Sequence, residues 1–488
     1  MWGKLTGCMG WLISAVIILS FLPPEGVYGQ EKKGGGPKHV FAGTPPAHPF
    51  NVILARPTDK SVTISVMASK DMMAQIAYGT VSGKLDKKTE DRQLKKGQPV
   101  EFFLNGLEPN ARHFYRLYTR DEGEKEFKAD EERTFHTQRK SGSSFVFTIQ
   151  SDSHLDQNTR PAVYERTLAN ALNDKPDFHI DLGDTFMTDK YGKDYKASLP
   201  QYTAQRYYFG RIAHSAPLFL VLGNHDGEKK DAYDGSADCM SVWSCLNRKK
   251  LFPNPYPDQF YTGNKFELKN VGRLENYFAW EWGDALLIAL DPFWNSPRVG
   301  KNNSNGNWIR TLGKEQYDWL NQTLSGSKAK HKFVFLHHLV GGLDENARGG
   351  SEAASLYEWG GKSDNGKDEF KLKRAGWDMP IHQLLLKNKV SAVFHGHDHF
   401  FAFQELDDIK YIMVPQPGHP GMDRLRNVEE YGYLRGDFLP PSGHIRVSVS
   451  PEKVRVEYVR AFLSNNLSSN RKNGEVGFSY TISRNGMK

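Results

Sequence analysis

Two kinds of hydrophobic patterning divide the chain. Over residues 50–137 the apolar positions come in short β-type runs. Val62-Thr63-Ile64-Ser65-Val66 alternates with period two, and runs at 75–78, 100–104 and 113–118 follow, separated by turn residues such as Asn105-Gly106 and Pro109-Asn110. Such spacing predicts a small all-β sandwich. After a polar Gly/Ser joint at 140–144 the pattern changes to near-continuous apolar runs alternating with helical spacing. Strands are predicted at 145–149, 178–182, 218–222, 285–290, 332–336, 390–393 and 409–414, closing strands within 445–458, and helices at 160–173 and 202–213. Strand–helix alternation of this kind marks a layered βαβ-based domain. The fold class is therefore α/β: a β-sandwich at 50–139, a layered domain at 143–463, and 464–488 as a C-terminal tail.

Each polar cluster of the second region follows a near-continuous apolar run. The run before residue 151 ends in Asp152-Ser153-His154, the next in Gly183-Asp184, the third in Gly223-Asn224-His225-Asp226, a later one in His337-His338, and the last in Gly396-His397-Asp398-His399. Open α/β sheets bind ligands at the carboxyl ends of their strands. A lone G-H-x-H is also what two exposed loop histidines look like, so the weight comes from the set. Asp152, His154, Asp184, Asn224, His337, His397 and His399 offer carboxylate, amide and imidazole donors without a thiolate. That mix suits Zn, Mn or Fe and argues against a structural zinc site built on cysteine. The set is too large for one transition metal with an open position and suits two divalent or trivalent ions if a carboxylate bridges them. Asp184, on a tight turn after Gly183, is the candidate bridge. A metal pair can orient a phosphate, generate hydroxide at neutral pH and stabilise both ends of an in-line displacement. His225, beside a ligand, is suited to protonate the leaving oxygen or bond the phosphoryl group. Asp226 or another carboxylate would orient it.

Composition adds little to this chemistry and something about compartment. The 488 residues are 38% hydrophobic and 25% charged, with a formal charge of +7 spread along the chain. No dense basic block points to a nucleic-acid partner; the excess would at most favour anionic substrates. Lys4 and the apolar run 11–22 read as a secretory signal peptide, with cleavage expected after Gly29. The run is short of the roughly 20 residues a membrane span needs. An uncleaved anchor is the alternative. Residues 30–49, rich in Gly, Pro and Lys, read as a flexible linker. Export to the periplasm or medium is the expectation, with no stable membrane span after cleavage. In that setting Cys239 and Cys245 could close a small disulfide loop. The aromatic-rich segment after His225 (Trp243, Phe252, Tyr256, Phe260, Tyr261) and the segment 339–377 read either as lids over the site or as packing against the core. Arg348, in the second, could clamp a phosphate.

The ordered set D-x-H, G-D, G-N-H-D, H-H and G-H-x-H, over roughly residues 143–462, resembles the calcineurin-like metallophosphoesterase superfamily. The resemblance implies a four-layer α/β/β/α domain, two packed mixed sheets flanked by helices. It also implies that Asp152, His154, Asp184 and His399 hold one metal, that Asp184, Asn224, His337 and His397 hold the other, and that His225 is the catalytic histidine, with His338 contacting substrate. A sandwich ahead of such a domain, with Leu107-Glu108-Pro109 before an aromatic strand, is similar to fibronectin type III modules and to the architecture of purple acid phosphatases. Those carry a tyrosine three residues after the G-D aspartate. Met187 stands there in this chain, so a purple iron–tyrosinate site is not expected. The function implied is phosphate-ester hydrolysis, monoesters favoured. The alternatives are a phosphodiesterase on the same site, or an exported binding protein that keeps the site without turnover.

Overall fold

The computed structural model describes residues 39–297 and 306–483. The signal-peptide reading and the start of the linker therefore fall outside the described residues. The β-type runs of the N-terminal region form two antiparallel sheets. One is built of Phe50–Ala55, Val62–Ala68 and Val100–Leu104. The other is centred on Met72–Gly79 and Arg112–Asp121. Alternate side chains, among them Val52, Ile64, Val66, Ile76, Phe102, Tyr115 and Leu117, share one core. The polar half of the alternation at 62–68 does not face water, for Thr63, Ser65 and Met67 are buried as well. The helix Leu199–Ala213 covers that face. Its Phe209 packs with Ile53 and Met67, and its Arg206 donates to the Ser65 carbonyl at 2.9 Å and Asn51 Oδ1 at 2.7 Å.

The alternating region folds into two large sheets. In the six-stranded sheet, Leu218–Leu220, Phe178–Asp181 and Phe145–Gln150 run parallel, followed by antiparallel Gly443–Val449, Lys453–Arg460 and Val476–Ser483. In the eight-stranded sheet, Ala285–Ala289, His331–Phe335, Ala392–His395 and Ile409–Met413 are parallel neighbours. The sheets face each other across Phe147, Ile149, Ile180 and Phe219 from one and Leu287, Phe333, Phe335, Phe394 and Ile412 from the other. These parallel strands are buried on both faces, which is why they read as unbroken apolar runs. Helix Leu199–Ala213 covers Leu218 and Leu220 on the outer side of the first sheet. Helices Lys314–Gly326 and Ile381–Lys387 cover Leu286, Ile288, Val334 and Val393 on the outer side of the second. The result is a helix/sheet/sheet/helix layering.

Two expectations are corrected, and two open readings are resolved. Within the expected tail, residues 464–483 are not free, since Val476–Ser483 is the edge strand of the six-stranded sheet, with Phe478 and Tyr480 against Phe403. The last part of the linker is tied down: the Ala42 N–H donates to the Leu155 carbonyl at 2.7 Å, and the His39 ring stands edge-on to Tyr191. The aromatics after His225 serve as packing. Trp243 stands edge-on to Tyr202, Phe252 packs on Phe186, and the buried Tyr261 hydroxyl donates to the Pro57 carbonyl. Cys239 and Cys245 are buried and unbonded. No helix among the described residues is long and apolar enough to cross a membrane.

Candidate metal centre

Five of the expected donor residues sit on strained backbone. Asp152, His154, Asp184, His397 and His399 have φ of 59°, 50°, 55°, 82° and 67°, in the left-handed region that non-glycine residues seldom occupy. Such strain persists where the surroundings over-determine it, and it clusters at functional sites. Here the turns hold one another. The Asp152 and His154 N–H groups donate to the carbonyls of Gly183 and Asp184, at 2.9 and 3.2 Å. The Gly396 N–H donates to the His337 carbonyl, and the His397 N–H to Asp152 Oδ2, both at 2.9 Å. The approach is close enough to demand glycine at two places. A Cβ on Gly183 would lie 2.2 Å from the Gly223 nitrogen, and one on Gly396 would lie 1.9 Å from Ser151 Oγ.

The side chains these turns project form two groups, each with its ligand atoms within 4.8 Å of one another. Asp152, His154 and His399 make the first, and Asp184, His337 and His397 the second. Asp184 Oδ2 faces both, 3.3 Å from His337 Nε2 and 3.8 Å from His154 Nε2. Asp152 Oδ1 is 3.5 Å from His399 Nε2 and 3.8 Å from His337 Nε2. Asn224 joins through its neighbour, since the His225 N–H donates to Asp184 Oδ1 at 2.8 Å.

The residues fit a pair of cations. Asp152 Oδ1, His154 Nε2 and Asn224 Oδ1 are buried without a hydrogen-bond partner, whereas nearly all buried polar atoms in proteins have one. The electrostatics also call for positive charge. Burial opposes the His154 imidazolium, but Asp152, Asp156 and Asp184 raise its pKa to about 10. Burial opposes His337 likewise, and Asp184 and Asp152 raise it to about 9. Outer contacts fix which ring nitrogen faces inward. His337 Nδ1 donates to the Leu182 carbonyl at 2.9 Å, and His397 Nε2 to the Asn346 carbonyl at 2.7 Å. Asp156 Oδ2 is 3.5 Å from His154 Nδ1.

His225 Nε2 is 3.9 Å from Asp184 Oδ2. Its Nδ1 donates to Asp189 Oδ1 at 2.8 Å, and Lys229 Nζ donates to Asp189 Oδ2 at 2.7 Å and to the Asn224 carbonyl at 3.0 Å. Burial opposes ionisation of Asp189, but the neighbouring His225 and Lys229 hold its carboxyl below the usual range. Asp226, expected among the candidates to orient His225, instead accepts the backbone N–H groups of Asp184, Thr185, Phe186 and Gly223 at 2.7–3.1 Å. It staples the G-D turn to the G-N-H-D turn. His338 is buried, donates from Nδ1 to the Leu339 carbonyl at 2.9 Å, and lies 5.3 Å ring to ring from His397. Sequence reading missed Asp189, Lys229 and Asp156. Only Asp156 carried a signal, as the third member of a D-x-H-x-D alternation.

The model of the calcineurin-like phosphoesterase family matches residues 145–401, more than half of the chain. No curated protein sequence matches. The fold is similar to that of PhoD (15% identity, 89% of this chain and 90% of that one, TM-score 0.60). It is also similar to that of purple acid phosphatase PPD1 from seeds of yellow lupin, Lupinus luteus (15% identity, 88% and 74%, TM-score 0.54). With the family model covering more than half of its length, this chain belongs to the calcineurin-like phosphoesterase family and so to the phosphoester hydrolases.

Proposed function

We propose that the protein is an exported phosphoesterase with a binuclear metal centre, acting on phosphate monoesters in preference to diesters. Residues 143–463 form its catalytic region and 50–139 an accessory fibronectin type III-like module. Asp152, His154, Asp184 and His399 hold one ion, and Asp184, Asn224, His337 and His397 the other, the ions being drawn from Zn, Mn and Fe. Bound there, a cation pair polarises the phosphoryl oxygens and lowers the pKa of water. The protein's own groups supply the rest. His225 Nε2 supplies the proton to the leaving oxygen while Nδ1–H stays on Asp189. His338 lines the substrate side beside His397. The observation that carries the reading is a pair of Asp/His clusters meeting at Asp184 Oδ2, with His225 Nε2 3.9 Å from the same oxygen.

A panel of phosphate monoesters and diesters, assayed on metal-reconstituted protein, tests it. Monoester turnover that follows metal content is expected. Tight metal binding with no ester cleaved would point to a binding protein, and cleavage confined to diesters would reverse the substrate preference.

A further inference from the structure

Two loops meet over His397 and Asp398. From the segment 339–377, the Asn346 carbonyl accepts His397 Nε2–H, and the Gly349 N–H donates to Asp398 Oδ2 at 3.2 Å. From the segment after residue 417, the Tyr433 hydroxyl donates to the same Oδ2 at 2.8 Å. Arg348 lies between Asn346 and Gly349. Its guanidinium carbon is 4.0 Å from the centre of the Tyr431 ring, a stacking distance. The loop beneath it is rigidly held: Asn307 Nδ2 donates to the Asp344 carbonyl at 2.6 Å, and the Arg310 guanidinium to the Glu345 carbonyl. The Tyr431 hydroxyl accepts Asn427 Nδ2 at 2.9 Å.

The guanidinium itself has no hydrogen-bonded partner among the described residues. The nearest carboxylate oxygen, Asp344 Oδ2, is 3.9 Å away, and the other oxygen of that group accepts the backbone N–H groups of Asn346 and Arg348. The side chain is 30% exposed. Stacking on an aromatic ring fixes the plane of an arginine while leaving its edge donors open, and that planar fork matches a carboxylate or phosphate with two parallel bonds. We propose that Arg348, stacked on Tyr431 at the rim of the metal centre, is a subsite for a second anionic group carried on the leaving group of the substrate. This rests on the phosphoesterase reading of the centre and adds a substrate class to it: phosphate esters whose leaving group bears a carboxylate or a further phosphate.

The full-length, metal-reconstituted protein is assayed with phenyl phosphate, 4-carboxyphenyl phosphate and 1,4-phenylene bisphosphate. The wild type is expected to show a KM about tenfold lower for one or both doubly anionic esters, as a charge-assisted bond would give; the pair of arms tells carboxylate from phosphate. R348Q is expected to abolish the difference, with kcat/KM for phenyl phosphate and metal content held within about twofold. Y431L should weaken the preference about threefold by removing the ring, and R348K should restore only part of it. If R348Q does not fold, Y431L and R348K carry the comparison. No preference in the wild type, or an equal loss on all three esters in the variants, overturns the subsite and leaves Arg348 as a loop clasp. Calorimetric titration with phenylphosphonate and 4-carboxyphenylphosphonate or 1,4-phenylenebisphosphonate repeats the comparison without turnover. A preference there that R348Q removes upholds the subsite even if no ester is cleaved, in which case the phosphoesterase reading alone fails. Equal binding of the phosphonates overturns the subsite.

Discussion

His225 and Asp226 are neighbours in sequence, yet their side chains do different work. The imidazole is tethered at Nδ1 by Asp189 and points Nε2 at Asp184, while the Asp226 carboxylate ties four backbone N–H groups together. His225→Ala is expected to keep metal and lose turnover by about 10²–10⁴-fold, the usual scale of general acid catalysis, whereas Asp184→Asn is expected to lose metal; elemental analysis beside steady-state kinetics separates the two. Asp226→Asn should act through folding. An amide offers one acceptor oxygen and turns an NH₂ toward backbone donors, so unfolding in urea is expected to show a loss of about 2–4 kcal/mol. An Asp226→Asn protein of normal stability but no activity would return Asp226 to the catalytic group. The donor types were legible in the chain because the candidate donors sit directly after strands. Asp189 was not, because its partnership with His225 exists only once the turns at 184 and 224 are stapled side by side.

At the scale of elements, periodicity worked wherever burial was simple. The parallel strands of both sheets lie where unbroken apolar runs predicted them, and the helices Pro161–Asn173 and Leu199–Ala213 match their 3.6-residue spacing. The run Val476-Gly477-Phe478-Ser479-Tyr480-Thr481-Ile482-Ser483 carries clean period-two alternation, with Phe478, Tyr480 and Ile482 turned inward. Its place after the closing strands made it look like a tail. Phe478→Ala, which removes a ring 5.2 Å from Phe401 and 5.0 Å from Phe403, is expected to cost about 1–3 kcal/mol in urea unfolding, the lower part of the core range because the strand is an edge. The helix Pro161–Asn173 is bolted to the sheet at its end by Asp174, which accepts His444 Nε2 at 2.7 Å and Arg446 at 2.6 Å. Burial opposes the Asp174 carboxylate, but His444 and Arg446 prevail and hold its pKa below the ordinary value. A depressed carboxyl stabilises the fold above its unfolded pKa, near 4, and that contribution is lost as pH falls through the lower folded value. Asp174→Asn is therefore expected to lower stability by about 2 kcal/mol at pH 7 and to flatten the acid limb of a stability–pH profile; an unchanged acid limb would count against this pairing.

For the whole molecule the decisive contact is the one between the N-terminal sheets and the layered region. Arg206 is fully buried, and its partners are all neutral oxygens: Asn51 Oδ1, the Ser65 carbonyl and hydroxyl, and the Leu251 carbonyl. Arg206→Met would leave those acceptors unpaired, and a loss of about 3 kcal/mol in the thermal or urea transition is expected; no loss would mean that the apolar contacts of Ile53, Met67 and Phe209 suffice. The sequence by itself determined the layered fold class, the five turns and their donors, because each depends on residue type and on spacing within one strand and its turn. Only the tertiary structure decided which carboxylate holds His225, why both faces of Val62–Ala68 are buried, that the last strand closes a sheet, and that Arg348 finds Tyr431. Each of those depends on which surfaces, distant in sequence, meet when the sheets stack, and local periodicity carries no record of that meeting.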